Sequence, residues 1–160
     1  MKHVYLYNNL LVLSRNIYFY KNLQLPDSFE TRIFLIFFHF SIILIIFKKK
    51  KKKFDQSEYN SLFNCIENDL RELGFGDIAV NKKMKNLNRF FYDILLKLEK
   101  NSEHNVIDFD KKIIIKYFDG LEDANNTNLK LFMKYLVDFY EFCFKHSSEN
   151  MIQELPKFKF

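Results

Sequence analysis

The chain has no tryptophan and only three glycines, two prolines, two cysteines and two alanines (Ala79 and Ala124) among 160 residues. So few glycines and prolines leave little material for the tight turns of a β-sandwich or barrel, and no strand-like alternation is present to argue for one. Cys65 and Cys143 stand far apart with no CxxC around them, too few for a disulfide scaffold or a cysteine-rich zinc site, and read as two core thiols in a reducing compartment. His3, His39, His104 and His146 are scattered over different segments and no two histidines are neighbours at helical spacing, so no metal and no cofactor is expected. A G-x-S-x-G, a P-loop, a GxGxxG and a paired-carboxylate pattern are all missing, and nothing reads as an enzyme. The opening "MKHVYLYNNLLVLSRNIYFYK" is interrupted by polar residues and lacks a small-residue cleavage site, so no secretory signal is expected.

What is abundant is phenylalanine (20 residues), lysine, asparagine and isoleucine, the bias that A/T-rich coding produces. The net charge of +5 is unevenly placed: residues 1–54 carry ten Lys/Arg against two acids, +8, leaving −3 for residues 55–160. A basic amino-terminal third is drawn to an anionic lipid surface or to RNA.

Apolar residues recur at helical spacing throughout, predicting an all-α compact bundle of about six helices, one domain over 1–160, around a very apolar second helix. The first helix is expected over about 4–22. The second should follow a cap at Asp27 with Glu30 reaching back, and end near residue 48. Its core "IFLIFFHFSIILIIF" (33–47) is apolar on every face. At 1.5 Å per residue it spans about 22 Å, short of the roughly 30 Å of a bilayer core. His39 and Ser41 fall near its middle, which favours a buried central helix; a membrane span, which flanking Arg32 and Lys48 keep open, and an interfacial helix are the alternatives. A third helix starts at Asp55 with Glu58, buries Tyr59, Leu62, Phe63, Ile66, Leu70 and Leu73, and stops at Gly74. A fourth, about 81–100, buries Met84, Leu87, Phe91, Ile94, Leu95 and Leu98. After the polar linker "NSEHNVIDFD", a fifth (about 109–118) ends at Gly120. The sixth runs to about 146 with Leu129, Phe132, Leu136, Phe139, Tyr140 and Cys143 inward. Residues 146–160 read as a loosely attached tail.

Three features are candidates for function. Lys48, Lys49, Lys50, Lys51, Lys52 and Lys53 form an unbroken run whose mutual repulsion should fray it into an exposed loop, either simply solvated or in contact with an anionic membrane. Lys82, Lys83 and Lys85 fall in the expected first turn of the fourth helix, where they oppose the macrodipole, so a contact role is the alternative to a solvated face. Two of the three glycines lie in "GFGD", so Gly74, Gly76 and Asp77 mark a turn needing positive φ or close backbone approach. His39 is a buried polar candidate: a core histidine with hydrogen-bonded partners, or a group offered to a partner or haem.

Taken in order, these residues resemble the ubiquinol-cytochrome c chaperone family. The resemblance is carried by "LQLPDSFETR" (23–32), a helix holding His39, a basic connection, and "FNCIENDLRELGFGDIAVNKKMKNLNRFFYDIL" (63–95), with its acidic helix, G-F-G-D turn, V-x-K-x-M-K run and aromatic FY pair. "KIIIKYF" and "LKLFMKYLVDFYEF" stand where the family has its last two helices, so coverage is about residues 15–145. Relatives often carry Trp in the second and penultimate helices; its absence implies a differently shaped pocket. The lack of the long mitochondrial amino-terminal extension implies a bacterial version. The resemblance implies an assembly factor that binds newly made cytochrome b as client, cytoplasmic and peripheral to the inner membrane, with the ribosome and the anionic membrane surface as further contacts. The competing reading is a basic ribosome- or RNA-surface binder without a chaperone role.

Overall fold

Ser28 starts the most apolar helix of the chain. In the computed structural model, which describes residues 2–100, 109–122 and 125–160, its Oγ accepts a hydrogen bond from the Thr31 N–H at 3.2 Å and caps α3, Phe29–Lys49. Asp27, the expected cap, instead pairs with Arg32 at 2.8 Å. Glu30 in the first turn and Lys48 and Lys49 in the last both complement the helix dipole. Fourteen of the 21 residues of α3 are buried, the run from Leu35 to Ile43 without interruption. An apolar helix covered on every side is a core helix. α3 is long and apolar enough to cross a membrane, but 72% of its most apolar window is already buried against protein. Each large side chain so covered contributes roughly 1.5–3 kcal/mol relative to exposure.

Around α3 stand α1 (Lys2–Ser14), α2 (Ile17–Lys21), α4 (Gln56–Glu72), α5 (Asp77–Lys100), α6 (Lys111–Tyr117), α7 (Thr127–Phe144) and α8 (Met151–Glu154). No strand occurs among the described residues. The rungs Phe34 to Phe90 (5.9 Å between ring centroids), Phe37 to Phe91 (5.3 Å) and Lys48 to Glu99 show α5 running parallel to α3. Phe38 to Phe132 (5.9 Å) and Lys49 to Tyr140 place α7 parallel to it on the other flank. α4 folds back on α5, with Tyr59 and Tyr92 hydroxyls 3.3 Å apart at one end and Arg71 paired with Asp77 at the other. α1 lies across α3 and α4, pinned by a hydrogen bond from the Tyr7 hydroxyl to Asp69. Burial first, and then that carboxylate, push the Tyr7 phenol well above its ordinary range.

Several boundaries differ from the sequence expectation, each for a local reason. The first helix breaks at Asn16, whose side chain accepts from the Tyr18 N–H at 3.0 Å and so restarts the helix as α2. Leu73 is exposed, lying past the last turn of α4 at its C-cap. α5 begins at Asp77, so Lys82, Lys83 and Lys85 sit in its second and third turns, beyond the reach of the dipole argument. α6 ends before Gly120, which belongs to the separate 3-10 turn Asp119–Leu121. The tail is not loose: Met151 and Leu155 are fully buried, and Phe158 packs against Tyr135, Phe139 and Phe142 at 5.2–5.5 Å. Linker residues 101–108, with His104, and Ala124 lie outside the described residues, as does the side chain of His3.

The two glycines of the "GFGD" turn behave differently. Gly74 has φ +99°, a region that L side chains rarely adopt, whereas Gly76 has no positive φ and open space around a Cβ. Gly74→Ala is therefore expected to destabilise the fold by about 1–2 kcal/mol, and Gly76→Ala to leave the urea midpoint within the scatter of ordinary surface substitutions. Equal midpoints for the two variants would contradict the assigned turn.

Candidate functional site

The lysine run does not fray. Lys51 adopts φ +55°, its N–H donates to the Lys48 carbonyl at 3.0 Å, and the Lys52 N–H reaches back to the Phe47 carbonyl at 2.9 Å. These two bonds form a Schellman ending, in which Lys51 occupies the left-handed position where glycine is usual. The charges are divided as well. Lys48 pairs with Glu99, and Lys49 donates to the Tyr140 hydroxyl at 3.1 Å with its ammonium over that ring. Lys50 donates to the His146 carbonyl and covers the Phe144 ring. Half of the run thus ties α3 to α5, α7 and the segment after α7; Lys51, Lys52 and Lys53 are exposed, as is much of the Lys48 side chain. Lys52 and Lys53 rim a groove of about 680 Å³ together with Tyr5, Glu149 and Ile152 from α1 and the tail region. Lys51→Gly is expected to raise stability by about 1 kcal/mol by relieving the left-handed lysine; a lower urea midpoint would contradict the Schellman geometry.

Lys82 and Lys85 point to solvent from α5, and Lys83 lays its ammonium 4.5 Å from the Phe75 ring centroid. Lys48 meets α5 at Glu99, 14 residues beyond Lys85, which at 1.5 Å per residue is about 21 Å along the helix. The structure therefore keeps the two basic groups at opposite ends of α5. Gly74 shapes the turn that leads into α5, and Asp77 opens the helix while paired with Arg71.

His39 is fully enclosed. Its Nδ1 lies 2.6 Å from the Leu35 carbonyl, which can only accept, so Nδ1 carries the proton and Nε2 accepts from the Tyr135 hydroxyl at 2.6 Å. Phe19 and Phe139 close over the ring edge-on. Both nitrogens are satisfied inside the bundle. Burial lowers its pKa from 6.5 to about 4, with the Leu35 hydrogen bond opposing, so the imidazole is neutral at pH 7. Cys143 is buried, its thiol pushed up by that burial, and Cys65 is half-buried.

The sequence reading missed a set of exposed apolar side chains. Ile78 is 88% exposed, Leu96 61% and Tyr92 51%, all on α5, with Leu73 and Phe75 exposed on the preceding turn. A periodicity test directed at the core passes over such residues because it asks only which side chains share the inward face.

Among the described residues no cluster of His, Cys, Asp or Glu is arranged to hold a metal ion. The bundle is an all-helical scaffold with Lys82, Lys83 and Lys85 exposed on α5 and His39 enclosed in its core. Residues 21–141, from the end of α2 to near the end of α7, match the ubiquinol-cytochrome C chaperone family, and the chain belongs to that family. Membership supports a chaperone or assembly role toward a protein client. No curated protein and no solved structure shows significant similarity to the chain.

Proposed function

We propose that this protein is an assembly factor of ubiquinol-cytochrome c reductase that binds newly made cytochrome b at the membrane surface. The observation that carries the reading is the family match over 121 residues, 21–141, which takes in the central apolar helix, the "GFGD" turn and the whole of α5. The physical features fit such a role. Newly made cytochrome b is apolar and sits at a membrane, and a helper for it needs a self-sufficient core, so that its own apolar helix is not offered to lipid, together with outward cations. The buried α3 meets the first need, and Lys51–Lys53 and the α5 cations meet the second. The protein works on the cytoplasmic side, peripheral to the inner membrane.

Affinity purification of the tagged chain from gently solubilised membranes tests the reading. Cytochrome b should co-purify ahead of the later subunits of the complex. Recovery of cytochrome b no greater than that of an unrelated apolar membrane subunit would overturn it. Recovery instead of ribosomes or RNA, lost steeply as salt rises, would favour the basic ribosome- or RNA-surface binder.

A further inference from the structure

Ile78, Lys82, Lys85, Arg89, Tyr92 and Leu96 follow one another along α5 at steps of four and three and are all exposed. At about 100° per residue they fall within an arc of roughly 80°, opposite the buried stripe of Val80, Met84, Leu87, Phe91, Ile94 and Leu98. The face is about 27 Å long, with cations in the middle and apolar or aromatic side chains at both ends. From Ile78 to Tyr92 the chain contains no acidic residue. The acids at the margins are each engaged elsewhere: Asp77 with Arg71, Asp93 with Lys116 and the Tyr117 hydroxyl, and Glu99 with Lys48. Among the described residues Lys82, Lys85 and Arg89 form no ion pair, Arg89 donating instead to the Asn86 side-chain oxygen, on an outward face bracketed by apolar residues.

We infer that this outer face of α5 lies against an anionic phospholipid surface. Lys82, Lys85 and Arg89 pair with the headgroups, while Ile78 at one end and Tyr92 with Leu96 at the other enter the boundary between headgroups and acyl chains. Charge complementarity selects the occupant. A positive, acid-free strip matches a negatively charged leaflet, and the exposed Ile78 and Leu96 gain from a lipid interior what a polyanion such as RNA does not supply. Tyr92, an apolar ring carrying a hydroxyl, suits the interfacial zone. Lys52 and Lys53 turn toward α1 and the tail and are not part of this face. The inference deepens the proposed function, on which its membrane setting rests: it names the lipid-engaging element as α5 in place of the lysine run.

Sedimentation of the purified protein with vesicles tests it, using phosphatidylcholine alone and phosphatidylcholine mixed with phosphatidylglycerol. The protein should partition onto the mixed vesicles only. The triple variant Lys82→Gln, Lys85→Gln, Arg89→Gln should lower that partitioning roughly 100-fold, and Lys51→Gln, Lys52→Gln, Lys53→Gln should change it far less. Because the chain has no tryptophan, Ile78→Trp or Leu96→Trp places a single tryptophan on the face, excited selectively over the tyrosines at long wavelength. Its emission should shift to the blue on mixed vesicles and be quenched by brominated acyl chains, whereas Lys51→Trp should do neither. Equal binding by wild type and the α5 variant, equal binding to both vesicle types, or an unshifted Trp at 78 and 96 would overturn the inference. Vesicles contain no cytochrome b, so such a failure leaves the cytochrome b reading standing; conversely, vesicle binding without cytochrome b recovery retains the lipid face and removes the client.

Discussion

Replacing Phe91 with alanine is expected to lower the stability of the fold by about 3–5 kcal/mol. The side chain is fully buried where α3, α4 and α5 meet. Its ring lies 5.3 Å from Phe37 and 5.5 Å from Phe40 on α3, 5.4 Å from Phe63 and 6.0 Å from Tyr59 on α4, and 5.9 Å from Tyr92 on its own helix. Alanine removes the apolar area and leaves a void that five rings cannot all collapse into, because each is also held by other neighbours. A domain of this size has about 5–15 kcal/mol of net stability, so the variant should unfold at a much lower urea concentration or accumulate poorly. Phe91→Leu keeps most of the volume and should lose markedly less. Phe75→Ala, on the exposed turn, should change stability by no more than about 0.5 kcal/mol. A Phe91→Ala protein as stable as the wild type would show that α3, α4 and α5 do not share this aromatic centre.

The second large effect is a dependence of stability on pH that traces to His39. In the folded chain its pKa is lowered to about 4 by burial, against 6.5 when unfolded. Between those values the unfolded chain binds a proton that the folded chain refuses. Stability therefore rises with pH across the window: it is fully present above 6.5 and is lost as pH falls toward 4, by about 1.4 kcal/mol per unit and about 3 kcal/mol in all. Carboxylates titrate in the lower part of the same window, so the diagnostic is a difference. His39→Gln should be less stable than wild type at pH 7, and that gap should narrow by about 3 kcal/mol between pH 6.5 and 4. Tyr135→Phe leaves the ring nitrogen without its donor in a site closed to water, and should lower stability at pH 7 by about 1–3 kcal/mol. Urea titrations at several pH values measure both. A gap that stays constant would mean that His39 is reachable by water and is not the sealed core residue described above.

The core was legible wherever a helix was long. The stripes of α4, α5 and α7 repeat over four or more turns, and their inward residues, from Leu62 through Cys143, are nearly all where periodicity puts them; Leu73 fails because the helix ends beneath it. Short elements carry too few repeats to reveal a face, so the four-residue α8 and the aromatic tail show no inward stripe in the sequence although Leu155 and Met151 are fully buried. Helix starts were legible to within a residue at Asp55, but at Ser28 two capping residues stand side by side, and the choice is made by Arg32 drawing Asp27 away. The lysine run shows a different limit. Composition gives its charge, but not that three of its ammonium groups find Glu99, the Tyr140 hydroxyl and the His146 carbonyl on distant parts of the chain. His39 was legible as a buried histidine with partners; its particular partner lies 96 residues away, and no local pattern encodes it.

The proposed role of this protein is in assembly of ubiquinol-cytochrome c reductase. Its most direct test is deletion of the gene, followed by a haem-stained gel and a difference spectrum of membrane cytochrome b and cytochrome c1, with an unrelated respiratory complex as control. The account predicts selective loss of cytochrome b and of quinol-cytochrome c reductase activity while the control complex is retained. Normal cytochrome b and normal reductase activity in the deletion strain would contradict it.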